Sequence, residues 1–172
     1  MAVDDSSFSA IEKLRFDHPT EHFDCGNAEL NRFLNRFALV NQRANTAQTY
    51  VVCRGSQVVG YYSLTVGQAD HQAAPARIAK GIARHPIPLM ILARLAIATQ
   101  EQGRGLGAAL LKDALLRCVA AADIVGIRAL FVHAKDEQAR QFYQHFNFQP
   151  SPTDPHHLFL LMKDIAQMVG HS

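Results

Sequence analysis

Leu89-Met90-Ile91-Leu92-Ala93-Arg94-Leu95-Ala96-Ile97-Ala98, followed closely by Gln102-Gly103-Arg104-Gly105-Leu106-Gly107, decides the reading of this chain. The first run is apolar and has the length of a buried strand. The second is a glycine-rich turn. Behind it, Leu111, Ala114, Leu115, Cys118, Val119 and Ala122 recur on one face and predict an amphipathic helix. A strand, a glycine turn and a helix start make an anion site. The first N–H groups of a helix lack intrahelical partners and carry the positive end of its dipole. Glycines let a phosphate come close to that backbone.

Three phosphate loops compete for this turn. A P-loop is excluded, because no Lys-Ser or Lys-Thr follows the last glycine. The dinucleotide fingerprint fits loosely through Gly103, Gly105 and Ala108. That fingerprint closes the first strand of a βαβαβ unit, whereas this turn lies past mid-chain. The third pattern is Gln-x-x-Gly-x-Gly, met by Gln102, Gly105 and Gly107. It resembles the coenzyme A pyrophosphate loop of the GCN5-related N-acetyltransferase (GNAT) superfamily.

The 172 residues suit one domain, 1–172, with loose tails expected at 1–10 and 164–172. A 48% hydrophobic and 19% charged composition is that of a globular protein, and there is no membrane-length apolar run or signal segment. The net charge of +2 does not by itself indicate nucleic acid. Cys25, Cys53 and Cys118 lack metal-ligand spacing, and their odd number favours free thiols in a reducing, cytoplasmic setting. Cys53 and Cys118 read as small core residues. His156-His157 reads as surface, and no metal site is expected.

Along the chain, Ile11 to Phe16 reads as a first strand. Asn27 reads as the cap of a helix with Leu30, Phe33, Leu34 and Phe37 at helical spacing. Tyr50–Cys53 and Val58–Leu64 flank Gly55-Ser56 as a hairpin. Residues 68–88 read as a long loop with at most a short helix. Ala129–Val132 is a buried strand, Asp136 caps a helix carrying Ala139, Phe142, Tyr143 and Phe146, and Leu158–Met162 is the last strand. The order β-α-β-β-(loop)-β-α-β-α-β predicts an α/β (α+β) fold.

That order is also the GNAT order. Arg94-Leu95-Ala96-Ile97 resembles the GNAT strand beside the pantetheine arm, and Phe142-Tyr143 resembles the last GNAT motif. Asn147 stands where that motif has glycine before Phe148. Asparagine is the next best residue for a left-handed helix end. Phe23-Asp24-Cys25-Gly26 with Leu30 and Phe33-Leu34, His85-Pro86-Ile87-Pro88 into Leu92–Ala96, and His133-Ala134 through Phe148-Gln149-Pro150-Ser151-Pro152 resemble the GNAT toxins of bacterial type II toxin–antitoxin systems. The match covers about residues 20–163. The resemblance implies a mixed, mostly antiparallel sheet with helices on both faces. It also implies acetyl-coenzyme A as cosubstrate, and acetylation of the α-amino group of aminoacyl-tRNA with a block of translation. A ribbon-helix-helix antitoxin is the implied partner, and relatives of this type often form homodimers.

Acetyl transfer needs a held thioester, a donor for the developing oxyanion and a proton for the leaving thiolate. The strand backbone at Leu95, Ala96 and Ile97 is expected to orient pantetheine and the acyl oxygen. Gln102, Gly103, Arg104, Gly105, Leu106, Gly107 and Ala108 are expected to hold the pyrophosphate, with charge added by Arg104. On pattern alone Tyr143 reads as a core tyrosine. The resemblance makes it the acid. No carboxylate stands out as base, and Glu101 reads as a solvated charge. The α-amino group of an aminoacyl ester is weakly basic enough for water to take its proton.

Two basic groups suit RNA. Arg32, Arg36 and Arg43 form a stripe on the first helix, where a solvated face is the plainer reading. Arg77, Lys80 and Arg84 crowd the long loop and are the preferred tRNA contacts. Two other functions stay open: acetylation of a small-molecule or protein amine, and a silent GNAT-fold binding module. A neighbouring frame for a ribbon-helix-helix protein separates the first. The intact glycine turn and Tyr143 argue against the second.

Overall fold

The computed structural model describes residues 7–170. Seven strands form a mixed sheet in the order β1-β2-β3-β4-β5-β7-β6. The chain divides into two compact units, residues 1–65 with 94–114 and residues 66–93 with 115–172.

In the first unit, β1 (Glu12–Lys13) pairs antiparallel with β2 (Gln48–Arg54), which pairs antiparallel with β3 (Gln57–Ala69). The hairpin turns at Gly55, whose φ is 59°. Before the sheet runs one helical stretch in three parts: α1 (Ala28–Arg32), a π-helical turn (Phe33–Phe37) and α2 (Ala38–Arg43). Asn27 caps it as expected, its side chain accepting from Leu30 N–H at 3.1 Å. Phe33 and Leu34 are buried, as are Phe23 and Tyr61. The Tyr61 ring sits 5.5 Å from Phe23 and 6.1 Å from Phe33, and its hydroxyl donates to Leu30 O at 2.7 Å. Gly60 matters sterically. A Cβ there would lie 3.0 Å from Leu110 Cδ1, so glycine lets the helix that carries Leu110 pack closely on β3.

The expected loose stretch 1–10 lies partly outside the described residues. Ser9 within it is fixed, its N–H donating to Cys53 O at 2.8 Å and its Oγ accepting from Cys53 N–H at 2.9 Å. The backbone of β2 supplies those groups, and a paired backbone is not a tail.

In the second unit, the first part of β4 (Ile87–Ile97) runs parallel to β5 (Ala129–His133), with Leu89 opposite Ala129. β5 pairs antiparallel with β7 (His157–Leu161), which also pairs with β6 (Gln149–Pro150). Ala74, Ile78, Ile87, Leu89, Ala129, Phe159 and Leu161 form a core cluster. The expected long loop at 68–88 is shorter than read. β3 continues to Ala69, and α3 (Ala76–Ala79) follows Pro75. Pro at that point fits a helix start, because its missing N–H would have no partner there.

α5 (Glu137–His145) is capped by Asp136, which accepts from Ala139 N–H at 2.8 Å. Asn147 closes it at φ 71°, the left-handed value expected for the glycine-like position. The expected tail at 164–172 is different too. α6 (Met162–Met168) buries Ile165 completely, and Arg77 Nε donates to Asp164 Oδ2 at 2.9 Å. Only residues 171–172 of that stretch lie outside the described residues. Burying one isoleucine contributes about 1.5–3 kcal/mol, enough to dock a short helix that the sequence pattern leaves ambiguous.

Candidate active site

The glycine turn is built from both sides. At the end of β4, residues Thr99–Glu101 form a single 3₁₀ turn, and α4 (Leu106–Ala122) starts just beyond. Thr99 N–H donates to Asp24 O at 2.9 Å. The Gln102 side-chain amide donates to Ile97 O at 2.9 Å and to Cys25 O at 3.1 Å. Gln102 therefore fastens the turn to the strand end and to the segment before α1. Its side-chain N–H groups brace the loop.

Between Gln102 and α4 the backbone is open. Gly103 and Gly105 have φ of +79° and +83°, with no atom within 4 Å of a Cβ built on either. Glycine is needed there for backbone conformation, and space is ample. Ala109 N–H closes the first α4 bond onto Gly105 O at 3.1 Å. Among the described residues, the N–H groups of Gly103, Arg104, Gly105, Leu106, Gly107 and Ala108 donate to nothing. Six consecutive donors, at the positive end of a 17-residue helix, suit a pyrophosphate. The Arg104 guanidinium is exposed beside them, 3.9 Å from Glu101.

Glu101 departs from its expected place as a solvated charge. It is 4% exposed and forms a fork with Arg54, at 2.8 Å to Nε and 2.9 Å to Nη2. A carboxylate loses its hydration on burial and needs paired, hydrogen-bonded charge in exchange, which Arg54 supplies. The expected strand residues are here as well. Ala96 is buried, and Leu95 and Ile97 are half-buried.

Tyr143 lies in the second unit, on α5. Its side chain is buried, its ring packed edge-to-face with Phe142 and Phe148 at centroid distances of 5.1 and 5.3 Å. No group among the described residues hydrogen-bonds its hydroxyl. Burial pushes that hydroxyl well above the ordinary tyrosine pKa. It therefore keeps its proton at neutral pH and, among the described residues, has no acceptor for it. A core tyrosine would normally find one.

The basic residues of 77–84 fare unequally. Arg77 is held by Asp164 through two contacts. Lys80 and Arg84 are exposed and form no ion pair among the described residues. Cys53 and Cys118 are buried, as read, and burial raises both thiols. Among the described residues, no group of three or more His, Cys, Asp or Glu side chains could hold a metal. No helix there is long and apolar enough to cross a membrane.

The Arg54–Glu101 fork and the Gln102 brace were beyond sequence reasoning. Glu101's position next to the turn was the one available signal. The π-helical turn left no mark in the apolar spacing.

Residues 45–150 match the acetyltransferase (GNAT) domain. Over 165 residues the chain is 44% identical to the tRNA-acetylating toxin of Mycobacterium tuberculosis (strain ATCC 25618 / H37Rv), covering 96% of this chain and 99% of that one. AtaT complexed with acetyl-methionyl-tRNAfMet superposes with a TM-score of 0.87 at 34% identity, over 94% of this chain and 99% of AtaT. A mutant AtaT bound to the C-terminus of the antitoxin AtaR and acetyl-CoA gives 0.80 at 32% identity, over 96% and 100%. A glycine turn with six open donors, in a chain that follows these relatives almost end to end, makes this protein a member of the GNAT acetyltransferase family.

Proposed function

We propose that this protein is an acetyl-CoA-dependent N-acetyltransferase toxin that acetylates the α-amino group of aminoacyl-tRNA and so blocks translation. The observation that carries the reading is the row of six unpartnered N–H groups from Gly103 to Ala108, in a chain 44% identical to a tRNA-acetylating toxin. Acetyl-CoA supplies an activated acetyl group as a thioester. The chain's residues do the rest. The 103–108 backbone and Arg104 hold the pyrophosphate, and the strand at Leu95, Ala96 and Ile97 orients pantetheine and the acyl oxygen. Tyr143 donates its retained proton to the leaving sulfur. Water accepts the amine proton.

Lys80 and Arg84 are the candidates of the 77–84 stretch for RNA phosphate, and Arg77 serves there only if it leaves Asp164. We assign both compact units to a single acetyltransferase domain acting in the cytoplasm. The partner is an antitoxin of ribbon-helix-helix type, and the active form is a homodimer. Support for the antitoxin comes from AtaT, which was captured with the C-terminus of AtaR.

The test is incubation of the purified protein with labelled acetyl-CoA and bulk aminoacyl-tRNA, with uncharged tRNA as control. Label on the aminoacyl group of the charged sample alone is expected. Absence of label, with acetyl-CoA binding confirmed by calorimetry, would move the acceptor to a small-molecule or protein amine.

A further inference from the structure

A group of cations in the first unit has no partner among the described residues. Arg32 and Arg36 are four residues apart on the helical stretch, one before and one within the π-helical turn, and thus share a face. Both are exposed, and neither forms an ion pair or hydrogen bond among the described residues. The contrast with other arginines is plain. Arg15 pairs with Glu12 and Asp17, Arg54 with Glu101, Arg77 with Asp164, and Arg140 with Glu137.

Arg32 and Arg36 line an open cavity of about 580 Å³ together with Asn31, Asn35, Thr20 and Glu21. The amides are already oriented. Asn31 accepts from Cys25 N–H at 2.9 Å and donates to Asp24 Oδ1 at 3.0 Å. Thr20 Oγ donates to Asn35 at 3.4 Å. Glu21 shares the wall without bridging either guanidinium, so two cations face one carboxylate. Asp24 and Cys25, both hydrogen-bonded to the lining residue Asn31, brace the glycine turn. Asp24 O accepts from Thr99 N–H, and Cys25 O accepts from the Gln102 amide.

We propose that Arg32 and Arg36 grip backbone phosphates of the RNA whose aminoacyl end is acetylated, with the cavity between them as the seat for the sugar-phosphate chain. This rests on the tRNA-acetylating reading above and adds the RNA contact that lies in the same compact unit as the pyrophosphate turn. Guanidinium groups suit the role, since each offers a planar fork of donors matched to phosphate oxygens. Unpaired and solvated in the protein alone, they give up no internal ion pair on binding.

The experiment uses the full chain with Arg32→Gln and Arg36→Gln together. Binding of aminoacyl-tRNA is measured by filter retention across a salt series, and acetyl-CoA binding by calorimetry. The expected result is at least tenfold weaker RNA binding at 0.1 M salt, with the log–log salt slope shallower by about 1–2. Acetyl-CoA affinity stays at the wild-type value. The charge-keeping pair Arg32→Lys with Arg36→Lys retains most of the slope. Wild-type RNA affinity and slope in the Gln pair would overturn the proposal. So would a matching loss of acetyl-CoA binding, which would assign the arginines to phosphates of that molecule. A wild-type protein that neither binds nor acetylates charged tRNA would sink the tRNA reading itself, and this assignment with it.

Discussion

Glu101 Oε1 lies 2.8 Å from Arg54 Nε, with 5% of the glutamate side chain exposed. The pair joins the last residue of the 3₁₀ turn to the end of β2, 47 residues away in sequence. Removing one partner leaves the other desolvated and unpaired. Glu101→Ala should cost about 3 kcal/mol and loosen the glycine turn beside it. Urea unfolding midpoints measure the first effect and acetyl-CoA calorimetry the second. A loss under about 0.5 kcal/mol, the range of ordinary surface changes, would show that the fork is dispensable.

Tyr143→Phe removes one oxygen from a buried ring and leaves its edge contacts with Phe142 and Phe148 in place. Turnover should fall by about 10²-fold or more, the usual size of a general-acid contribution, with acetyl-CoA binding unchanged. The pH profile adds a second reading. Burial raises the Tyr143 pKa, so its acid form persists below the ordinary tyrosine value near 10 and is lost only above it. A kcat profile with no descending limb assignable to Tyr143 below about pH 10 is expected. Full activity of the phenylalanine variant at saturating substrate would remove Tyr143 from the chemistry.

Gly105→Ala tests the backbone of the glycine turn. At φ +83° an alanine pays about 1–2 kcal/mol of local strain, although nothing lies within 4 Å of its Cβ. The cost is conformational, and the chain relieves it by turning the local N–H groups away from their common direction. Acetyl-CoA affinity should drop about tenfold or more, from the loss of one or two charge-assisted hydrogen bonds. Unaltered affinity would mean that the ligand does not use these donors.

Arg77→Ala breaks the ion pair with Asp164 on α6. Half of the arginine side chain is exposed, so the loss should stay within about 1 kcal/mol. The Arg77 guanidinium holds the Asp164 carboxyl below its ordinary range. The pair's contribution is therefore fully present above the unfolded carboxylate pKa near 4, and it disappears as pH falls through the depressed folded value. Wild-type and variant melting curves should differ at pH 7 and converge in acid. Equal stability at pH 7 would rule out a structural role for the pair.

Much of the fold was legible because its signals are local. Asn27 and Asp136 cap helices through side chains that reach three residues ahead. Asn147 takes the left-handed conformation that its neighbourhood in the sequence demands. The glycine turn was read from spacing; of its two positive-φ glycines, Gly105 is a position of the Gln-x-x-Gly-x-Gly pattern and Gly103 is not. What escaped depends on distant partners. Glu101 reads as solvated until Arg54 is brought to it, and α6 reads as a tail until Ile165 finds a core. β3 extends to Ala69 through Thr65–Gln68, a stretch with little apolar content, because backbone pairing needs no apolar side chain.

The widened turn at Phe33–Phe37 also bears on how this helix is to be aligned with others. A π-helical turn accommodates one residue more than the α-helical path. One residue corresponds to a rotation of about 100° around a helix axis. Beyond it, Ala38 faces fully inward while Phe37 stands 49% exposed. Everything from Ala38 to Arg43 is thus phased one step away from α1. Comparison by a continuous heptad-like register will misplace this half of the helix, and a relative lacking the extra residue will show a gap here with both flanking faces preserved.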